Sequence, residues 1–266
     1  MKHISSRDNP LFKSLRALAE DHREPRRRGE ALVDGIHLVQ TCVERGIELR
    51  QLVISETGAL NSIIAAMAAS LAQAEVDCCL LTDALFRDAT GVTSPTGIAA
   101  VIAIPDAADW PLNSDALMLD AVQDAGNVGA LLRTAAAAGV VDVLLGHGCA
   151  GAWTPRVLRA GQGAHFSLRI REQVDLSAAV AGYSGRTLAT VAREGESLYA
   201  LELNTPVAWI FGNEGAGVST QLIDAATNRV TIPMYAATES LNVAAAAAVC
   251  LFEACRQRRL FNPTAQ

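Results

Sequence analysis

The feature of this sequence that most restricts its fold is a series of short apolar runs that alternate with helical patterns. Strands that are apolar on both faces and separated by helices are typical of a parallel sheet covered on both sides. The second half is therefore predicted to be a mainly parallel α/β domain, with helices beginning near residues 127, 154, 176, 220 and 241. Its predicted strands are ALMLD, VVDVLL, FSLRI, RTLAT, VAWIF and RVTIP.

The first half shows the same alternation in a shorter form. Asn9 is expected to cap an N-terminal helix that has Pro10 at its first position. Strands and helices then alternate up to a last strand at 98–104, which predicts a small α/β layer structure. The proline-rich stretch IPDAADWPLNSD marks a boundary, so we expect two domains in the 266 residues, at 1–104 and 115–266.

Charge is unevenly distributed along the chain. The net charge is −6, yet residues 1–28 hold eight basic side chains against four acidic ones. A positive field at one end favours contact with phosphate groups, although a solvated basic helix has the same composition. The candidate phosphate-binding residues are Arg7, Lys13, Arg26, Arg27 and Arg28.

The spacing of the cysteines and histidines argues against a metal-binding protein and against a disulfide-stabilised one. The six cysteines lack the paired spacing of a zinc site and do not suggest a disulfide framework, so reduced thiols are expected. The five histidines are scattered, and no metal site is predicted. With no apolar run of about 18 residues and no leader-like N-terminus, a soluble cytoplasmic protein without membrane contact is expected.

Three polar loops follow predicted strands of the second half. They are DAVQDAGNVGALLRTAAAAG, FGNEGAGVS and IPMYAATESLNVAAAAAV. Ligands in open α/β sheets bind beyond the carboxyl ends of strands, which makes these loops the candidate site. In the first, Asn127 is expected to cap the helix that follows. Taken singly, each loop has a structural alternative. Arg133 fits an arginine that extends past alanines to solvent, Glu214 a cap of the helix that follows Ser219, and Ser240 or Asn242 the N-cap of the last helix.

Each loop contains a longer pattern. Together, and in this order, the three patterns resemble the signature motifs of the SpoU/TrmH family of the SPOUT superfamily, whose members are S-adenosylmethionine-dependent RNA ribose 2′-O-methyltransferases. The patterns are G-N-x-G-x-x-x-R at Gly126, Asn127, Gly129 and Arg133; G-x-E-G-x-G at Gly212, Glu214, Gly215 and Gly217; and I-P-M…S-L-N-V at Ile232, Pro233, Met234, Ser240, Leu241, Asn242 and Val243.

A weaker likeness covers the first half. The stretch SSRDNPLFKSLRAL, then Arg28 and LVDGIHLV, look like the opening of family members that have an RNA-binding domain resembling ribosomal protein L30. The resemblance implies a C-terminal trefoil knot and a homodimer whose active site lies near the subunit interface. It also implies an RNA substrate, with ribosomal RNA favoured over transfer RNA.

The resemblance assigns roles to individual residues. Arg133 would carry catalysis, and because an arginine stays protonated at neutral pH, the hypothesis is that it clamps a phosphate and stabilises the developing alkoxide. Asn127, Glu214, Ser240 and Asn242 would order the catalytic loops and the target nucleotide. The cofactor S-adenosylmethionine would be held at Gly212, Ile232, Met234 and Leu241.

The sequence departs from the family pattern at two positions. Ala236 stands where the family usually has glycine, and Ala244 where it often has serine. Both put cofactor affinity in doubt more than reaction type. An inactive RNA-binding protein on the same fold is therefore one alternative.

A second alternative comes from the stretch GHGCAG at residues 146–151. It has the glycine spacing of a dinucleotide-binding turn, with Glu172 at about the right distance downstream, and so suggests a nicotinamide-dependent oxidoreductase. That reading requires a helix to begin within the glycines. Pro155 instead predicts a later helix start, so the alternative is disfavoured.

Overall fold

The protein divides into two compact units in the computed structural model, which describes residues 1–106, 111–235 and 240–261, with side chains up to residue 258. The first unit comprises Met1–Asp106 together with Trp153–Phe166, and the second comprises Ala107–Ala152 and Ser167–Gln266. A segment from the second half of the sequence therefore packs with the first unit.

Strands and helices alternate along the whole described chain. The strands are β1 (Lys2–Ile4), β2 (Glu30–Asp34), β3 (Leu49–Ser55), β4 (Asp77–Leu81), β5 (Ile98–Ala103), β6 (Ala116–Asp120), β7 (Asp142–Gly146), β8 (Arg169–Val174), β9 (Arg186–Thr190), β10 (Glu196–Ser197), β11 (Val207–Gly212) and β12 (Asn228–Thr231). The helices are α1 (Pro10–Glu20), α2 (Glu24–Arg28), α3 (Ile36–Glu44), α4 (Ser62–Gln73), α5 (Asp83–Thr90), α6 (Ala125–Ala137), α7 (Pro155–Gly161), α8 (Leu176–Gly182), α9 (Thr220–Ala225) and α10 (Val243–Phe261).

The first unit is built on a mixed sheet of order β1-β4-β3-β5-β2. The strands β1, β4 and β3 are parallel, whereas β5 is antiparallel to both of its neighbours. Helix α1 begins as predicted, because the Asn9 side chain accepts a hydrogen bond from the backbone N–H of Leu11 at 2.9 Å. It buries Phe12, Leu15 and Leu18 in the core of this unit.

The second unit is built on a parallel sheet of order β10-β12-β9-β11-β6-β7-β8, which confirms the predicted sheet type. Every residue of β11 is buried, as expected for a strand covered on both faces. After β8 the chain crosses to the other side of β6, so β6 and β11 are neighbours at the point where the strand order reverses. Ligands in open parallel sheets bind beyond this point.

The predicted series of elements is present, with small shifts at the ends. Three elements were not predicted, because none carries a periodic apolar pattern: β1 has three residues, β10 has two, and α2 is the short polar stretch EPRRR. The expectation that Asn127 caps α6 is wrong. The cap is Asp124, whose side chain accepts from the backbone N–H of Asn127 at 2.8 Å, and this leaves the Asn127 side chain available for other contacts.

Within the described ranges, no helix combines the length and the apolar content needed to cross a membrane.

A close approach between two glycines in the first unit generates a stability prediction. Gly97 has φ +92°, and a Cβ added there would lie 2.6 Å from Cα of Gly58. Gly46 has a similar φ of +66° with open space around it. We expect Gly46→Ala to cost about 1 kcal/mol in free energy of unfolding and Gly97→Ala about 3 kcal/mol or more.

Urea denaturation of the two variants tests this, since both carry a backbone penalty at positive φ and only Gly97→Ala adds the clash. Equal costs would show that the contact between Gly58 and Gly97 does not constrain the fold.

Candidate functional site

The first two polar loops begin side by side at the edge of the second sheet. In the register of β6 and β11, Asp120 is paired with Gly212, so the chain leaves both strands at the same level. Asp120 also accepts a hydrogen bond from the backbone N–H of Ser219, at 2.8 Å. This hydrogen bond holds the last residue of the loop after β11 against the end of β6, just before α9 begins.

Glu214 joins the second loop to the first. Its carboxylate accepts from the Asn127 side chain at 3.0 Å and from the backbone N–H groups of Asp124 at 3.2 Å and Gln123 at 3.4 Å. These donors lie where α6 begins. The alternative in which Glu214 caps the helix after Ser219 is therefore not what the structure shows.

Asn127 continues the connection to the third loop. Its side-chain oxygen accepts from Nδ2 of Asn242 at 2.9 Å. The Asn242 oxygen in turn accepts from the backbone N–H of Ala244 at 2.9 Å and caps α10. The side chains of Glu214, Asn127 and Asn242 thus form a continuous chain of hydrogen bonds, called here the loop network, across all three predicted loops.

The pKa of Glu214 follows from these contacts. Partial burial raises it, but the hydrogen bonds from Asn127 and from backbone N–H groups, including those of Asp124 and Gln123, outweigh that effect. The net result is a pKa below the ordinary value of 4.5. The carboxylate is therefore ionised at neutral pH, which is the form that accepts hydrogen bonds from three donors.

Sequence reasoning missed Asn213, which fastens the loop from the inside. Its Nδ2 donates to the carbonyl of Ala121 at 2.9 Å, and its Oδ1 accepts from the backbone N–H groups of Gly215 and Ala216. Ala121 has φ +53°, a conformation that non-glycine residues rarely adopt. The position directly after a buried strand and next to glycines is the signal that would have found Asn213.

A cavity of about 830 Å³ lies beside the loop network. This volume is in the range of small-molecule and cofactor sites. Residue 212 at this wall has to be a glycine, because a Cβ on Gly212 would lie 2.1 Å from the carbonyl carbon of Gly217. The structure brings to the cavity wall all four residues predicted to hold the cofactor, namely Gly212, Ile232, Met234 and Leu241, together with Glu214, Ser240 and Asn242.

Arg133 lies outside the cavity wall. It is exposed on α6, two turns beyond the helix start, and makes no hydrogen bond or ion pair with any residue that the structure describes. Its guanidinium is therefore available to a bound molecule. Ala236 lies outside the described residues. The backbone N–H of Ala244 donates to the side-chain oxygen of Asn242.

The predicted phosphate-binding residues of the first unit lie mostly beside carboxylates. Lys13 pairs with Asp8 at 3.1 Å, Arg27 with Glu24 at 2.8 Å, Arg28 with Glu30 at 2.6 Å, and Arg7 with Asp88. Arg26 is exposed and has no such partner among the described side chains. Exposed pairs such as Arg7 with Asp88 and Lys13 with Asp8 contribute only about 0–1 kcal/mol each, so a phosphate can replace the carboxylate there. Arg28 and Glu30 are half-buried, and Arg28 also donates to the carbonyl of Ser14.

The glycine turn GHGCAG does not have the form of a dinucleotide site. No helix begins within it, and α7 starts only at Pro155, in the segment that packs with the first unit. Glu172 accepts from the backbone N–H of Ala152 at 2.7 Å and thereby holds this turn. In the described part of the chain, no group of three His, Cys, Asp or Glu residues is placed to hold a metal ion.

Both halves of the chain match known protein families. Residues 115–252 match the SpoU rRNA Methylase family, and residues 9–100 match the MRM3-like substrate binding domain. The chain is 30% identical over 254 residues to the 23S rRNA (guanosine(2553)-2′-O)-methyltransferase RlmP of Bacillus subtilis, covering 95% of this chain and 98% of RlmP.

Solved structures show the same likeness over nearly the whole length. The SpoU methyltransferase AviRb from Streptomyces viridochromogenes, solved with AdoMet, superposes with a TM-score of 0.83 at 25% identity, covering 94% of this chain and 98% of that one. A protein of the TrmH family from Porphyromonas gingivalis superposes with a TM-score of 0.78 at 29% identity, covering 94% and 97% of the two chains.

The lowered pKa of Glu214 predicts how the loop network depends on pH. Because the pKa is lower in the folded state, the stabilisation is present above 4.5 and is lost as the pH falls through the lowered value. We expect Glu214→Gln to reduce the free energy of unfolding by about 1 kcal/mol or less at pH 7, since the group is largely exposed. The deficit should shrink below pH 4.5.

Denaturant unfolding of the wild type and the variant between pH 4 and pH 7 measures this difference. Glu202→Gln is a matched control, because Glu202 is also exposed in the second unit and its carboxylate bonds no described residue. A deficit that is constant with pH would contradict the role given to the Glu214 charge.

Proposed function

This chain belongs to the SpoU rRNA methylase family, and we propose that the three loops after β6, β11 and β12 are the active site through which it acts. The protein is an S-adenosylmethionine-dependent methyltransferase that modifies a ribose 2′-hydroxyl of ribosomal RNA. The observation that carries the proposal is the loop network of Glu214, Asn127 and Asn242 beside the cavity. With this activity, the inactive RNA-binding protein and the oxidoreductase are set aside.

The cavity fits the cofactor in size and in chemistry. Ile232, Met234 and Leu241 supply apolar side chains suited to an adenosine, and the glycines of the second loop let a ligand approach the backbone. When bound, S-adenosylmethionine supplies an electrophilic methyl group on a sulfonium. Gly212, Ile232, Met234 and Leu241 are proposed to hold it.

The chain's own residues then position the hydroxyl. We assign to Asn127, Glu214 and Asn242 the ordering of the loops, because their side chains bond one another, and to Ser240 a contact with the target nucleotide, because it lines the cavity. Holding the reacting groups in line lowers the barrier through positioning.

Arg133 is proposed to clamp the phosphate beside the target ribose and to stabilise the alkoxide as it develops. Its guanidinium is exposed and makes no bond to a described residue, so both of its edges are available to phosphate oxygens. A permanent positive charge stabilises an oxyanion without any proton transfer by the arginine itself.

The first unit is proposed to hold the RNA, in keeping with its match to a substrate binding domain. We retain 1–104 as the RNA-binding domain and 115–266 as the catalytic domain, with Arg7, Lys13, Arg26, Arg27 and Arg28 as phosphate contacts. Family membership further supports a homodimer, a C-terminal trefoil knot and action in the cytoplasm, which we propose on that ground alone.

Substitution of Arg133 tests the clamp. Arg133→Lys keeps the charge but loses the bidentate fork, so we expect turnover to fall about tenfold or more, and Arg133→Ala to cost about 10²–10³-fold. The measurement is methyl transfer from labelled S-adenosylmethionine to ribosomal RNA taken from cells that lack the enzyme. Unchanged turnover in the lysine variant would exclude the bidentate contact, and unchanged turnover in the alanine variant would remove the assignment.

Salt dependence tests the RNA contacts of the first unit. Deleting the N-terminal segment would remove Phe12, Leu15 and Leu18 from the core of the first unit, so a single substitution is the better test. Arg26→Ala should reduce the slope of log binding constant against log salt by about 1, whereas Arg45→Ala, at another exposed arginine of this unit, should leave it unchanged. Identical slopes in the two variants would contradict the contact at Arg26.

A further inference from the structure

Arg193 is a wall residue of the cavity that no motif singles out. It lies in the loop between β9 and β10, and this loop contributes Val191, Ala192 and Arg193 to the wall beside the residues of the second and third polar loops. The side chain is exposed, and it makes no hydrogen bond or ion pair with a residue of the described ranges. A lone exposed arginine is usually only solvated, and Arg193 differs in that hydrogen bonds to a neighbouring strand hold its loop.

The loop that carries Arg193 is fastened on both sides to the neighbouring strand β12. The backbone N–H of Val191 donates to the carbonyl of Val230 at 2.9 Å. The Thr231 hydroxyl donates to the carbonyl of Val191 at 3.2 Å and accepts from the backbone N–H of Gly195 at 3.1 Å. One threonine side chain therefore closes the base of the loop and leaves Ala192, Arg193 and Glu194 as its tip.

The tip itself has a restricted backbone. Glu194 has φ +60°, in the left-handed region that residues with a side chain rarely adopt. Such a conformation persists only where the surrounding structure holds it. The position of Arg193 at the cavity wall is accordingly set by the fold, and binding there requires little ordering of the backbone.

The charges on the described cavity wall are few and opposite in sign. Glu214 and Arg193 are the ionisable side chains among the lining residues. Both oxygens of Glu214 already accept hydrogen bonds from the first polar loop. Arg193 is thus the cation on this wall that is not already engaged by a described group, and a ligand with a negative group is the chemistry that complements it.

S-adenosylmethionine carries one anionic group, the carboxylate of its methionine part, together with a positively charged ammonium and sulfonium. We propose that Arg193 binds this carboxylate and so anchors the amino-acid end of the cofactor. The inference rests on the proposed function, because it takes the cavity to be the cofactor site. It adds a binding residue for the tail, whereas Gly212, Ile232, Met234 and Leu241 are assigned to hold the cofactor as a whole.

Two ligands that differ in the tail separate this contact from general effects on the cavity. S-adenosylhomocysteine has the carboxylate, whereas 5′-methylthioadenosine keeps the adenosine and the sulfur but lacks the entire amino-acid part. Isothermal titration of the full-length protein gives the affinity for each. The variants are Arg193→Ala, Arg193→Lys and the control Arg229→Ala, an exposed arginine of β12 that pairs with Asp224 and does not line the cavity.

We expect Arg193→Ala to weaken S-adenosylhomocysteine binding about tenfold or more and to leave methylthioadenosine binding unchanged within about twofold. Arg193→Lys should recover part of the loss because it restores the charge, and Arg229→Ala should behave as wild type. If Arg193→Ala binds S-adenosylhomocysteine with unchanged affinity, the proposal is overturned, and an RNA phosphate becomes the partner indicated for this arginine. Equal weakening of both ligands also overturns it, in favour of a contact with the adenosine.

The same titration distinguishes an error in the Arg193 contact from an error in the proposed function. A wild-type protein that binds neither ligand would remove the cavity as the cofactor site and the carboxylate contact with it. Wild-type binding with no effect at Arg193 would leave the proposed active site intact and remove only the tail contact.

Discussion

The carboxylate of Glu214 is the group on which the arrangement of the three polar loops of the second unit depends. It accepts hydrogen bonds from the start of α6 while it sits in the loop after β11, and through Asn127 it reaches Asn242 at the start of α10. Loops that follow different strands have no covalent reason to keep a common geometry. The ionised carboxylate of Glu214 holds them together by accepting hydrogen bonds from several donors. Hydrogen bonds to an ionised group are stronger than those between neutral groups.

The polar residues of the site therefore divide into two groups. The first group bonds within the protein: the side chains of Glu214, Asn127 and Asn242 bond one another, and that of the unpredicted Asn213 bonds the backbone. The arginines of the site have no bonded partner among the described residues. Under the proposed function, the first group preorganises the loops and the second contacts RNA and cofactor, which is the arrangement that positioning and electrostatic catalysis require.

Most of the secondary structure was predictable, because the apolar runs of β3, β7 and β11 and the helical repeat of α1 are strong local patterns. The short elements β1, β10 and α2 were missed, since none is long enough to show a period. The cap of α6 was misplaced by three residues, from Asp124 to Asn127, because both side chains are able to cap and only the turn geometry decides between them.

The amino-acid sequence by itself determined the alternation of strands and helices, the parallel sheet, the family motifs and the identity of the residues in the three loops. The tertiary structure decided which of those residues bond one another, that the segment 153–166 packs with the first unit, and that Arg193 stands on the cavity wall. The physical reason is distance along the chain. Apolar periodicity acts within a few residues, whereas a contact such as that between Asn127 and Asn242 joins positions 115 residues apart, and only the sheet order brings them together.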